Sequence, residues 1–180
     1  MTRRVSIFGA TGSIGQNTLD LIRRDPEAYR VVALTGGRNI SALARAAREF
    51  QAEIAITAFD ECHEPLRAAL EGSGVETAAG AAAVTEAASR PASWIMSAIV
   101  GAAGLAPGLK ALEQGTTLAL ANKESLVTAG PLMLATAKTH GATILPVDSE
   151  HSAIFQCIQA AGSPPKKLIL TASGGPFRTW

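Results

Sequence analysis

Val5-Ser6-Ile7-Phe8 runs without a break into Gly9-Ala10-Thr11-Gly12-Ser13-Ile14-Gly15, and few folds admit that order of residues. A short apolar strand reaches a turn with a glycine at every third position. A helical pattern carried by Ile14, Leu19, Leu21 and Ile22 follows, until Asp25-Pro26 stops it. Strand, glycine turn and helix make the entry to a dinucleotide-binding α/β fold. Glycines let backbone N–H groups approach a pyrophosphate, which then sits at the positive end of the helix. Thr11 and Ser13 add hydroxyl donors. The spacing is G-x-x-G-x-x-G rather than G-x-G-x-x-G, so the assignment rests on the flanking strand and helix, and a plain strand–helix turn is the alternative.

The rest of the chain repeats the alternation. Further apolar runs at Arg30–Leu34, Glu53–Thr57, Trp94–Ile99, Thr117–Leu120 and Ala142–Leu145 read as buried strands, with a last one at Lys167–Leu170. Helical patterns lie between them, among them Ala42–Phe50, with Ser41 as its cap, and Pro65–Glu71. The alanine-rich stretch Ala78–Ala92 reads as one short helix on the outside of the sheet. Pro131 breaks the helix that follows residue 122 and can open a second one, which ends at His140-Gly141. Hydrophobic residues make up 47% and charged residues 17% of the sequence, as continuous buried strands require. The expected fold is α/β: a Rossmann-like, doubly wound, mostly parallel sheet.

Composition also excludes partners. A net charge of +1 and 4% aromatic residues give no basis for binding nucleic acid or an anionic membrane. The longest apolar stretch, 95–109, is broken by glycines and Pro107 and falls short of a membrane span. Cys62 and Cys157 lie outside any C-x-x-C spacing, which fits a reducing, cytoplasmic compartment. Cys62-His63-Glu64 lacks a second spaced pair and reads as an exposed helix start rather than a zinc site.

Four stretches at strand ends carry the candidate chemistry. After the second strand an NAD enzyme usually places an acid for the ribose 2′-hydroxyl, but Gly36-Gly37-Arg38-Asn39 stands here. A guanidinium suits a 2′-phosphate, so the loop favours NADP; an exposed turn is the alternative. Ala121-Asn122-Lys123-Glu124-Ser125 follows Thr117–Leu120, where ligands of such sheets bind; helix capping by Asn122 explains it equally well on local grounds. Asp148-Ser149-Glu150-His151 follows the sixth strand. In extended backbone Asp148 and Glu150 would leave one face, roughly 6.5–7 Å apart along the chain, a pair suited to a hard divalent cation. A solvated acidic loop with Ser149 as N-cap is the alternative. Ser173-Gly174-Gly175 is a candidate phosphate-binding turn, or a simple turn.

Taken in order, GATGSIG, GGRN, ANKES, PVDSEHSAIFQ and TASGGPF resemble the 1-deoxy-D-xylulose 5-phosphate reductoisomerase family, over essentially the whole chain. The resemblance implies an NADPH- and Mg²⁺- or Mn²⁺-dependent enzyme of non-mevalonate isoprenoid biosynthesis. Such an enzyme converts its phosphorylated sugar to 2-C-methyl-D-erythritol 4-phosphate. It implies pyrophosphate contacts at Thr11, Gly12, Ser13 and Ile14, 2′-phosphate contacts at Gly37, Arg38 and Asn39, and further cofactor contacts at Asn122 and Glu124. It implies metal ligation by Asp148 and Glu150, substrate contacts at Lys123, Ser149, Glu150 and Ser173, and catalytic roles for Lys123 and Glu150. Residues 1–147 would be the cofactor domain and 148–180 the incomplete start of a catalytic domain, in a family that is usually homodimeric. Family members are about twice this length, so the 180-residue chain is expected to bind NADPH with little or no turnover. Two other readings stand beside this one: a non-catalytic NADP-binding module, and a different NADP-dependent aldehyde or ketone reductase. Neither cysteine sits where a reductase of the aspartate-semialdehyde dehydrogenase type needs its nucleophile.

Overall fold

The computed structural model of the protein describes residues 2–169. Its strands are β1 (Arg3–Phe8), β2 (Tyr29–Gly36), β3 (Ile54–Thr57), β4 (Glu76–Ala79), β5 (Trp94–Ser97), β6 (Thr117–Leu120) and β7 (Thr143–Pro146). They form one sheet in the order β4-β3-β2-β1-β5-β6-β7, parallel throughout. The helices are α1 (Ser13–Arg24), α2 (Ile40–Glu49), α3 (His63–Leu70), α4 (Gly80–Glu86), α5 (Leu105–Glu113), α6 (Lys123–His140) and α7 (Ser149–Ala161).

Apolar side chains divide between the two faces of the sheet. Val5, Ile7 and Leu34 pack against Leu19 and Ile22 of α1, Leu43 of α2 and Leu66 of α3. Phe8, Ile95, Leu118 and Leu120 pack on the other face, against Leu112 of α5 and Met133 of α6. Helix α1 turns a stripe at helical spacing to the sheet, made by Thr18, Leu19 and Ile22. Within β6 the faces alternate residue by residue: Leu118 and Leu120 point one way and Ala119 the other. This is the doubly wound α/β arrangement expected from the sequence. Chain direction across the sheet reverses at β1, which has β2 on one side and β5 on the other. That reversal opens a crevice at the carboxyl ends of β1 and β5, the position at which such folds bind ligands.

Three sequence expectations need correction. The stretch Ala78–Ala92 is not one helix: β4 takes its first residues, α4 follows, and a 3₁₀ turn spans Ala87–Ser89. Alanines carry little strand propensity, so β4 exists because β3 pairs with it, Ile56 opposite Ala78 and Thr57 opposite Ala79. The strand before Asp148 is therefore the seventh. Residues 167–169 do not form the expected strand, and Leu170 lies outside the described residues. Pro131 acts as foreseen, since α6 is two helical pieces joined at Ala129, whose backbone is non-helical (φ −139°, ψ 29°). Among the described residues no helix is long and apolar enough to cross a membrane.

Leu34 lies at the middle of the first core with no exposed surface. Leu34→Ala is expected to lower unfolding free energy by about 2–5 kcal/mol, read from the shift of the urea midpoint at unchanged slope.

Candidate functional site

The turn after β1 is fixed by two glycines with no space for a side chain. Gly9 has φ +86°, and a Cβ there would lie 2.5 Å from the Ala98 carbonyl oxygen; a Cβ on Gly15 would overlap the Gly9 carbonyl oxygen. Gly12 is different: its nearest neighbour would be 3.4 Å away, so the surrounding chain leaves room for a side chain there. Gly12 is also the N-cap of α1, whose start has neither a side-chain cap nor an acid in its first turn. The starts of α2, α6 and α7 are each capped by a side chain, from Asn39, Asn122 and Asp148, while those of α3, α4 and α5, like that of α1, are not. An uncapped helix start with positive end-charge, beside an open glycine, is a ready anion site. Thr35, at the end of β2, holds the turn: its Oγ1 accepts from Gly9 N at 3.0 Å and its carbonyl accepts from Ala10 N at 2.7 Å. Sequence reading missed Thr35, because only the β1–β2 pairing reveals it.

Gly12, Ser13 and Ile14 form one side of a pocket of about 190 Å³ over the ends of β1, β5 and β6. Ala98, Ile99, Val100, Ala121, Asn122 and Glu124 form the other. The pocket thus joins residues more than a hundred positions apart that the sequence had linked only by motif. Asn122 is 3% exposed and its amide is fully engaged. Its NH₂ donates to the Ile99 carbonyl (2.5 Å) and the Gly101 carbonyl (2.7 Å), and its oxygen accepts from Ser125 N (3.1 Å). It therefore caps α6 and ties the loop after β5 to it. Gly104 permits this, since a Cβ there would lie 2.5 Å from the Asn122 side-chain nitrogen.

The Gly37-Arg38-Asn39 loop lies beyond the end of β2. Asn39, not Ser41, caps α2, its oxygen accepting from Ala42 N at 3.1 Å; Ser41 lies inside the helix. Arg38 has an acidic neighbour after all, contributed by a distant segment: its Nη1 meets Glu61 Oε1 at 2.5 Å. The guanidinium lies over the Phe59 ring, 3.9 Å from its centre.

At the far end of the sheet, β6 and β7 pair in parallel with Leu120 opposite Pro146, and Val147 N donates to the Leu120 carbonyl at 3.0 Å. This register sets residues 121–124 beside residues 147–150. The expected strand-like spacing of Asp148 and Glu150 is not what forms. Extended structure stops at Pro146, Asp148 is the N-cap of α7 in place of Ser149, and Glu150 stands in the first helical turn. A carboxylate one residue before a helix captures the free N–H groups of the first turn, and that outweighs continued strand. Asp148 Oδ1 accepts from His151 N at 3.0 Å and lies 2.8 Å from the His151 ring Nδ1.

Burial pushes the Asp148 carboxyl up, but the His151 backbone N–H and ring, together with the Lys123 charge, hold it below its usual range. Glu150 is lowered by its own backbone N–H, then by the Ser149 hydroxyl at 2.9 Å and by Lys123. Both are charged at neutral pH, and one lysine acts on both. Among the described residues no group of three or more His, Cys, Asp or Glu is placed to hold a metal ion, so neither His151 nor Cys62-His63-Glu64 completes one. Ser173 lies outside the described residues.

The chain matches the family model for 1-deoxy-D-xylulose 5-phosphate reductoisomerase over residues 5–130, and that family's C-terminal-domain model over residues 144–180. The chain belongs to this reductoisomerase family. A family member from Jannaschia sp. (strain CCS1) is 72% identical over 179 residues, covering 99% of this chain and 46% of that protein. The reductoisomerase from Zymomonas mobilis in complex with NADPH has a TM-score of 0.93 at 52% identity, covering 99% of this chain and 48% of that one. A reductoisomerase solved in complex with magnesium has a TM-score of 0.90 at 43% identity, covering 99% of this chain and 48% of that one. The chain thus spans under half the length of the relatives it matches.

Asn122→Ala removes a buried cap and leaves the half-buried carbonyls of Ile99 and Gly101 without their donors. It is expected to lower unfolding free energy by about 2–4 kcal/mol in urea titration.

Proposed function

We propose that the protein binds NADPH across the β1–β5 crevice and serves the conversion of 1-deoxy-D-xylulose 5-phosphate to 2-C-methyl-D-erythritol 4-phosphate. Residues 1–147 then form the cofactor domain and 148–180 begin the metal- and substrate-binding domain. The observation that carries this reading is the pocket in which the uncapped start of α1 faces Asn122 and Glu124. The residues fit the cofactor. Thr11, Gly12, Ser13 and Ile14 offer backbone N–H groups and hydroxyls to a pyrophosphate. Gly37, Arg38 and Asn39 stand where a 2′-phosphate would meet a guanidinium. Asn122 acts by fixing the wall of the pocket, and Glu124 by lining it.

Asp148 and Glu150 also fit a divalent cation such as Mg²⁺ or Mn²⁺: both are ionised carboxylates at adjoining places, and two ligands leave coordination sites for water and substrate oxygens. When bound, that cation supplies Lewis-acid stabilisation of charge on the substrate's oxygens. Lys123 adds a minor favourable charge beside both carboxylates and offers a donor to an anionic or hydroxylated substrate, while Ser149 and Glu150 present polar atoms on the same helix turn. Lys123 and Glu150 are the proposed catalytic residues, and Ser149 and Ser173 the further substrate contacts. Free cysteines at 62 and 157 support a cytoplasmic setting, and the family resemblance extends the proposal to a homodimer.

Fluorescence titration of the 180-residue chain is expected to show saturable NADPH binding, with NADH at least tenfold weaker, the size of one charge-assisted contact of about 1.5–3 kcal/mol. Equal affinity for the two nucleotides, or none for either, would reject the reading. Mn²⁺ binding followed by electron paramagnetic resonance should disappear in the double variant Asp148→Asn, Glu150→Gln while NADPH binding persists.

A further inference from the structure

The segment after β3 wraps the 2′-phosphate loop, and no motif in the sequence pointed to it. Thr57, fully buried, donates from Oγ1 to the Gly37 carbonyl at 3.1 Å and accepts from Phe59 N at 3.3 Å. A Cβ on Gly37 would meet Phe59 Cε2 at 3.7 Å, so the ring lies against the loop's backbone as well as under the Arg38 guanidinium. Glu61 then closes on Arg38 from the same segment. One loop is thus held at three points by residues 57, 59 and 61.

We propose that Phe59 and Glu61 set cofactor specificity, Phe59 by holding the Arg38 guanidinium flat and Glu61 by competing with the 2′-phosphate for it. This rests on the reading of the Gly37-Arg38-Asn39 loop as the 2′-phosphate site. Stacking fixes the plane of the guanidinium and leaves its N–H edge to an acceptor. In this structure that acceptor is the Glu61 carboxylate. Its own backbone N–H and then Arg38 hold the Glu61 carboxyl below the usual range, so it is charged at neutral pH. A phosphate monoester brings nearly two negative charges and three acceptor oxygens, and outbids one carboxylate for the guanidinium. Arg38 and Glu61 are both more than half exposed, and exposed pairs of this kind are weak, so the exchange is easily made. Glu61 nevertheless remains beside the dianion and repels it. A nucleotide without the 2′-phosphate meets neither the competition nor the repulsion.

Calorimetric titration of the 180-residue chain with NADPH, 2′,5′-ADP and NADH tests this. Glu61→Gln is expected to bind NADPH and 2′,5′-ADP about three- to tenfold more tightly, the gain shrinking as salt rises, with NADH unchanged. Phe59→Leu is expected to bind the two 2′-phosphorylated ligands about three- to tenfold more weakly, again with NADH unchanged. Unaltered or weakened NADPH binding in Glu61→Gln overturns the competition, and wild-type affinity in Phe59→Leu overturns the stacking role. A wild-type chain that binds no NADPH overturns the cofactor-site reading, and this proposal with it.

Discussion

The turn between β1 and α1 is closed by carbonyl oxygens on two sides, and the central pocket of the site takes its position from it. Gly9 lies against the Ala98 carbonyl of the neighbouring β5 connection, and Gly15 against the carbonyl of Gly9 itself. Side chains are excluded at both, so the first turn of α1 sits directly over the sheet edge. Thr35 adds a third tie, from β2. The turn is therefore referenced to β1 and to the strand on either side of it, which are the strands that bound the crevice. A parallel sheet brings all its strand ends to one edge, and the glycine turn decides how close a ligand comes to that edge.

Charge is distributed along the edge in a matching way. Arg38 stands beyond β2, the uncapped start of α1 lies at the centre, and Lys123 with Asp148 and Glu150 lies beyond β6 and β7. Positive groups suited to phosphate occupy one end and the centre. The other end carries an acid pair whose ionised state is held by hydrogen bonds and a lysine. On the proposed reading, a long, polyanionic cofactor laid from Arg38 across α1 would point its far end toward the acid pair.

What the sequence made legible follows from range. Continuous apolar runs marked β3 and β6 to within one residue and β1 and β5 to within two, because strands buried on both faces need no alternation. The glycine turn was visible because its physics is local. The edge strand β4 was not, since Glu76–Ala79 has no apolar run and is made by pairing. Asp148 was placed in the right neighbourhood with the wrong backbone: the same residue type serves a strand end and a helix cap, and only the competition between them decides. Thr35, Phe59 and Glu61 were invisible, since each acts on a residue 20 or more positions away through a contact that only the packed sheet creates. Lys123 comes near Asp148 and Glu150 through the parallel register of β6 with β7, a proximity that no local pattern in the sequence revealed.

Asn122 shows how such a site is kept to size. Its single amide grips the loop after β5 with one end and the start of α6 with the other. The two walls opposite the glycine turn hang from one rivet, so neither can retreat without dragging its companion. Width at that opening is accordingly a property of an interior joint, and variation along the part of α6 beyond the pocket lining can proceed without altering what the cleft admits.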